Sequence, residues 1–422
     1  MADSDFLITS DDAGVLELFK NFYPKRIDNA YKYASPLLKS ISQKKPEQVV
    51  GRSIVKGVSL SLLGGFSAGT KAFGSSANFL EKQTSYAVKN IRHEIRVDRL
   101  TKNLASTNEG AFKRIMDVTM SKQADAIQMH KSRMLVGAGT GLLGTISAVS
   151  TASAVHTCTL SDYVHSKWVT GEVVELVRSA TKQSALYEVT RTDYVNSKVI
   201  LTQVDGASLT PIANDTVYIQ NAYHATTLNE WIGIDKVLST TSGTLYGITV
   251  QDNFIAHLLD PDSATTNAVT INEDLLLQMF MRVAEHSIEF PDSIVVSPTQ
   301  YQFLARIGLI EGQRQIFADR INSEFKIGMN VNSVGFQGHN LPIMIDMGMP
   351  SDDIWFLNRG HIALEVATAG SFVPVVEGGS EFFHYLGPAD NADEHAAFWV
   401  EDSELWVDPS KQGRIYNLNK TL

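Results

Sequence analysis

Between Ser106 and Gly144 the chain reads STNEGAFKRIMDVTMSKQADAIQMHKSRMLVGAGTGLLG, and no other stretch constrains the fold as strongly. Apolar residues return at Phe112, Met116, Met120, Ile127 and Met134, in steps of four, four, seven and seven, which is one face of a helix. Ser106 followed by Glu109 fits a capping box at its start. Gly137, Gly139 and Gly141 stop it, because glycine carries the left-handed turn a helix end often needs. Arg114, Lys122, Asp125 and Lys131 are expected to keep the other faces polar. A helix of about 30 residues spans roughly 45 Å. That is a spine for other elements to pack across.

The rest of the composition narrows the class. Of 422 residues, 44% are hydrophobic and 19% charged, which suits a globular chain with a sizeable core. Length suggests two or three domains. No run of 18 apolar residues exists, so no membrane span is expected. The opening MADSDFLITSDD lacks the basic-then-apolar order of a signal peptide. Cys158 is the single cysteine, which excludes an intrachain disulfide and points to folding in cytoplasm. Residues 1–105 carry 16 Lys and Arg against 10 Asp and Glu, while the remainder carries 20 against 36. Two solvated surfaces would explain this; so would a basic N-terminal part that reaches onto acidic surfaces of neighbouring copies.

Along the chain, residues 12–23 show helical spacing that ends at Pro24, and residues 24–50 read as an arm with short helical pieces. Residues 51–63 and 85–99 alternate like strands. Between them lies a glycine-rich segment with Gly64, Gly65, Phe66, Gly69, Phe73 and Gly74, so the whole reads as a long hairpin with a flexible tip. A loop of this length in a compact domain is usually functional or lies against a partner. After the spine, residues 145–156 are small and apolar, and 163–223 hold four or five short strands, read as a small barrel or sandwich inserted in the chain. Residues 270–289 form a second helix with a Thr270–Glu273 capping box, Ser293–Val296 a short buried strand, and Ser297-Pro298 opens a third helix with Gln300 at the box position. Segments 341–346, 353–358 and Ala363–Tyr416 are strand-like, which suggests an α/β layer around a central sheet.

No chemistry assembles from these parts. Gly139, Gly141 and Gly144 match G-x-G-x-x-G, but a helix precedes them, so they meet the negative end of its dipole and not a phosphate-binding N-terminus. No P-loop occurs. The histidines, among them His93, His224, His339 and His384, are not spaced as metal ligands. Cys158, two residues after His156, reads as a small buried cysteine. The pairs Asp352-Asp353 and Glu401-Asp402 are adjacent and would point to opposite faces of a strand. No catalytic residue, cofactor or metal is expected.

The order of parts resembles the major capsid proteins of tailed bacteriophages with the Hong Kong 97-type coat fold. Tyr33-Ala34-Ser35-Pro36-Leu37-Leu38 is similar to the arm's SPLL segment, and Asn108-Glu109-Gly110-Ala111-Phe112 to the start of the spine. Met134-Leu135-Val136-Gly137-Ala138-Gly139-Thr140-Gly141 is similar to its LLxGxGTG end. Ile294-Val295-Val296-Ser297-Pro298 resembles the IVxxP strand-to-helix step, and Leu341-Pro342-Ile343 a later LPV strand.

The resemblance implies an α+β coat protein: N-terminal arm over 1–48, extended hairpin loop 49–101, peripheral domain with spine helix 102–156, β-barrel-like insertion 157–230, axial domain 231–365 and peripheral C-terminal strands 366–422. It implies no enzyme but a structural protein that self-assembles as pentamers and hexamers into an icosahedral shell around double-stranded DNA. Gly64, Gly65, Phe66, Gly69, Phe73, Gly137, Gly139 and Gly141 are then the interface or structural candidates. Implied partners are further copies of the chain, a separate scaffolding protein, the portal, a decoration protein, and non-specifically contacted DNA. The place would be the virion capsid, after assembly in the bacterial cytoplasm. Some relatives link a loop lysine covalently to an asparagine. Lys71 and Lys82 are present here, but the comparable strand reads His395-Ala396-Ala397-Phe398, so no crosslink is expected. The arm begins near residue 1, which favours a separate scaffold over a pro-segment. Alternatives are an encapsulin-like compartment, which shares the fold, and an enzyme with a β-rich accessory domain.

Overall fold

A computed structural model describes residues 35–60, 81–97, 125–152, 155–193, 195–224, 228–251, 253–262, 269–315, 333–336, 339–374, 383–385 and 395–420. Helix α1 (Pro36–Ser40) starts at a proline and is capped by the Ser35 hydroxyl, which accepts from the Leu37 and Leu38 amides. Strands β1 (Ser42–Lys44), β2 (Gln48–Val50), β3 (Ser53–Ser59), β4 (Glu81–Ala87) and β5 (Lys89–Val97) follow. The described part of the spine, α2, covers 125–136. Next come β6 (Leu142–Ala152), β7 (Val155–Leu160), β8 (Val173–Arg178), β9 (Thr181–Asp193), β10 (Lys198–Asp205) and β11 (Thr216–Ile219). Helix α3 (Ile234–Ser239), a ribbon of β12 (Thr244–Leu245) and β13 (Ile248–Thr249), β14 (His257–Leu259), α4 (Glu273–Ser287), β15 (Ser293–Val296) and α5 (Pro298–Gln315) lead into the C-terminal part. That part holds β16 (Ser333–Phe336), β17 (His339–Ile345), β18 (Ile354–Leu357), β19 (Ile362–Phe372), β20 (Phe383–Tyr385), β21 (His395–Val407) and β22 (Gly413–Ile415).

Three bodies of structure result. A mixed six-stranded sheet runs β14-β22-β18-β15-β17-β16. Its central strand β15 is buried at every residue, as a strand covered on both faces must be. Ile294 and Val296 point to α4 and α5, through Met279, Phe280, Val283, Phe303 and Leu304. Val295, one residue out of phase, joins Trp231, α3, Leu37 and Trp406 on the other side. A second sheet is built on the long strand β21, which takes β19 and β20 on one side and β5 on the other, with β1 added in parallel to β19. The third body is a closed barrel, β10-β7-β6-β11-β8-β9, filled by Tyr187, Val189, Val199, Leu201, Leu176 and Cys158.

Several expectations need correction. The barrel begins at Leu142, not at residue 157, because the small apolar segment after the glycines is itself its first strand and pairs with β7 and β11. The return limb of the hairpin is not one strand. It breaks at Val88, so that β4 pairs with β3 while β5 leaves to extend β21. Helix α4 is capped by Asn272, which accepts from the Leu275 amide; Thr270 is not the cap. Ser297 does cap α5 by accepting from the Gln300 amide, but the Gln300 side chain donates to the Ser351 and Asn419 carbonyls instead of closing the box. Lys131 does not lie on a polar face: it is buried. The spine start, with Ser106, Glu109, Phe112, Met116 and Met120, and the early helix at 12–23 lie outside the described residues.

Candidate functional site

Two adjoining nodes set the geometry of the molecule. The first is the root of the hairpin. Tyr86 of β4 stacks on Trp406 with ring centroids 5.8 Å apart and meets Tyr246 edge-on at 5.1 Å. Tyr246 lies 4.9 Å from Trp406, closing an aromatic triangle. The Tyr86 hydroxyl donates to Glu365 Oε2 at 2.6 Å, and Lys56 of β3 sits 3.3 Å from Glu365 Oε1 and 4.6 Å above the Trp406 ring. Burial, reinforced by the Glu365 carboxylate, pushes the Tyr86 hydroxyl far above its ordinary range, so it stays a donor. Both root strands are thus pinned to β19 and β21 by side chains that fix a direction as well as a contact.

The second node is the end of the spine. The Gly137 amide donates to the Arg133 carbonyl at 2.8 Å as the last helical bond. Gly139 and Gly141 then take φ of +77° and +73°. A methyl group on Gly141 would stand 2.2 Å from the Ala222 Cβ, and one on Gly139 2.7 Å from the Trp231 carbonyl oxygen. The chain therefore crosses the 222–233 segment at backbone distance, and Gly233 returns the approach: a methyl there would meet the Gly137 carbonyl oxygen at 2.2 Å.

Buried ion pairs lock this crossing. Arg133 donates to both Glu230 oxygens at 2.9 and 2.5 Å. Lys131 donates to both Glu401 oxygens at 2.6 and 2.5 Å. The Ser403 hydroxyl donates to Glu401 and accepts from the Trp231 indole at 3.2 Å. Arg133 lies in the last turn of α2, where the helix dipole favours a cation. Lys89 of β5 donates to the Leu228 carbonyl at 2.5 Å, tying the hairpin root to the same segment. Glu404 Oε1 accepts the Ile232 and Leu405 amides at 2.7 and 3.1 Å, while its Oε2 has no partner. Burial outweighs those bonds and lifts Glu404 to about 8, so Oε2 carries a proton at neutral pH. His130 and Glu172 lie 3.4 Å apart. Burial drives the first down to about 3 and the second up to about 8, so they meet as neutral groups rather than as an ion pair.

Gly137, Gly139 and Gly141 meet at this crossing, while Gly64, Gly65, Phe66, Gly69 and Phe73 lie outside the described residues. Cys158 is buried in the barrel core, and burial pushes its thiol up to about 12, which makes it unreactive. Glu401 is buried and Asp402 faces Asn90 at 2.6 Å, the opposite orientation expected of neighbours on a strand. Lys131–Glu401 and Arg133–Glu230 have no local signature, because the partners are 270 and 97 residues away. The available signal was two cations spaced two apart at the end of an amphipathic helix, one of which must turn inward. Among the described residues no His, Cys, Asp and Glu are grouped to hold a metal ion, and no helix is long and apolar enough to cross a membrane.

Residues 213–386 match the family model described as SU10 major capsid protein. The span runs from the last strand of the barrel through five of the six strands of the mixed sheet, all but β22, into β20, and contains the Ile294–Pro298 and Leu341–Ile343 motifs. Among solved structures the chain is similar to the capsid asymmetric unit of cyanophage A-1(L), at 12% identity over 92% of this chain and 93% of that chain, with a TM-score of 0.49. It is also similar to Mycobacterium phage Adephagia, at 11% identity over 98% of each chain and a TM-score of 0.44. A virus-like particle from Pyrococcus furiosus aligns at 9% identity over 94% of this chain and 99% of that chain, with a TM-score of 0.40. No curated protein matches the sequence.

The matched stretch is 174 of the 422 residues, less than half of the chain.

Proposed function

We propose that this chain is a tailed-bacteriophage major capsid protein of the Hong Kong 97 type, that it assembles as pentamers and hexamers into an icosahedral shell, and that its parts divide the labour. The arm and the hairpin reach neighbouring copies, the six-stranded sheet with α4 and α5 forms the axial part, and β5, β19, β20 and β21 with the spine form the peripheral part. The barrel, from Leu142 to Ile219, is an inserted module. The family match across 213–386 carries the proposal. The rigid hairpin root supports it physically: a limb pinned at its base by Tyr86, Lys56 and Glu365 is held out in one direction rather than left to search. Further copies of the chain are the principal partner. A separate scaffolding protein, the portal, a decoration protein and non-specifically bound double-stranded DNA complete the set, with assembly in the host cytoplasm. No catalytic step is assigned. Lys56→Glu tests the hairpin's role: it places a second carboxylate against Glu365 and should lower the yield of closed particles while the subunit stays folded. Normal particle yield from that variant would count against the proposal.

A further inference from the structure

Helix α4 packs on the six-stranded sheet through Leu276, Met279, Phe280 and Val283. On the helix flank Leu277, Met281 and Ala284 follow in steps of four and three; Leu277 is exposed, while Ala284 is half-buried and Met281 half-buried against the same core. Leu277 is 41% exposed. Just beyond the helix, Ile288 is 83% exposed and its backbone is left-handed, with φ of +57°. Helices usually place glycine at such a position, because a β-branched side chain is crowded there. The loop that holds Ile288 is firmly tied. The Ser287 hydroxyl donates to the Glu289 carbonyl and Lys411 donates to the Ser287 carbonyl, each at 2.6 Å. The Glu289 carboxylate takes His361 at 2.8 Å and the Asn358 amide at 3.1 Å, and Arg359 holds Asp292 at 3.0 Å. A strained isoleucine is thus presented to solvent in one fixed place, which brings folding alone no gain. Asp274 and Glu285 are exposed beside this stripe, and Arg282 is the one Lys or Arg of the helix.

A second exposed apolar strip lies on β2. Val49 is 44% and Val50 57% exposed, on an edge strand that pairs only with β3 among the described residues. Lys44, Lys45 and Arg52 are exposed around it, and Glu47 is the one acid between residues 42 and 52. One chain therefore carries exposed apolar residues along a helix whose exposed charges are mostly acidic, Glu273, Asp274 and Glu285 against Arg282, and an apolar strip with a basic rim on a different element.

We propose that these are the two halves of one interface between copies, with Ile288 and the α4 stripe of one subunit seated against the Val49–Val50 edge of the next. Like faces would oppose like charges, so the contact is head-to-tail, the type that closes into rings. This rests on the coat-protein reading, in which subunits gather into ring-shaped capsomers.

Because Cys158 is buried, introduced cysteines can be addressed alone. Particles of the full-length chain carrying both Val50→Cys and Leu277→Cys, treated with a short bismaleimide and run on a denaturing gel, should give a ladder of covalent multimers. Each single variant should stay monomeric. Particles without a ladder, or ladders from a single variant, would overturn the interface and leave the coat-protein reading intact. Failure of the unsubstituted chain to form particles at all would overturn both. Ile288→Gly supplies an independent arm. Glycine suits the left-handed backbone, so the subunit should melt at the same or a higher temperature while particle yield falls about tenfold, the effect of losing one well-seated anchor. Undiminished yield would contradict the assignment.

Discussion

Gly141 has no room for a side chain: its φ is +73° and the Ala222 Cβ occupies the space a methyl group would need. Gly141→Val and Gly139→Val should each destabilise the subunit by about 3 kcal/mol or more, through backbone strain and overpacking together. Thermal melts of the soluble subunit would measure this, and a variant with an unchanged melt would refute the account of that crossing. Glu404 gives a second test at this scale. Its folded-state value, about 8, lies above the ordinary 4.5, so the native state binds more protons than the unfolded chain between those values. Stability on this account falls as pH rises from about 4.5 to 8. Glu404→Gln should flatten part of that slope in melts between pH 5 and 9; an unaltered slope would mean that Glu404 is not the buried acid responsible. The glycines were legible in the sequence because a helix end announces them. The burial of Glu404 was not, since alternation along a strand cannot say which face a carboxylate will turn to when both faces are covered.

At the scale of elements, the spine is held by partners that come from distant parts of the chain. Lys131→Met would leave Glu401 buried and uncompensated, a loss of about 3–5 kcal/mol. Replacing both members, as Lys131→Met with Glu401→Leu, should recover more than half of it, because an apolar pair needs no desolvation of charge. Denaturant unfolding of the single and double variants would decide this, and an additive double loss would show that the pair does not act as a unit. Strand periodicity located most of the strands, from β3 to β21, yet it missed two things for one physical reason. It could not see that Val88 divides two strands, or that Leu142–Ala152 belongs to the barrel, because a period says how a segment alternates and not which strand it pairs with. The Asn272 cap likewise displaced Thr270 because either residue can accept the orphan amides, and only the geometry of the first turn chooses.

At the scale of the whole molecule, the proposed coat-protein reading draws on the order of arm, hairpin, spine and α/β layer more than on any single residue. Each motif is short, but their sequence along the chain is constrained. The hairpin's return limb becomes β5 and adds to β21. The asymmetry of charge also acquires a use once α4 and β2 are seen as complementary edges. The composition of β21 carries a further consequence: with His395, Ala396 and Ala397 at the expected linking positions, particles boiled in detergent should run as single subunits of 46.4 kDa. Higher covalent species from unmodified particles would contradict that. The central claim is that the chain builds a closed shell, and electron microscopy of the purified protein, expressed alone and with a candidate scaffolding protein, tests it most directly. The account predicts closed icosahedral particles resolved into fivefold and sixfold capsomers, and a protein that stays monomeric under both conditions would contradict it.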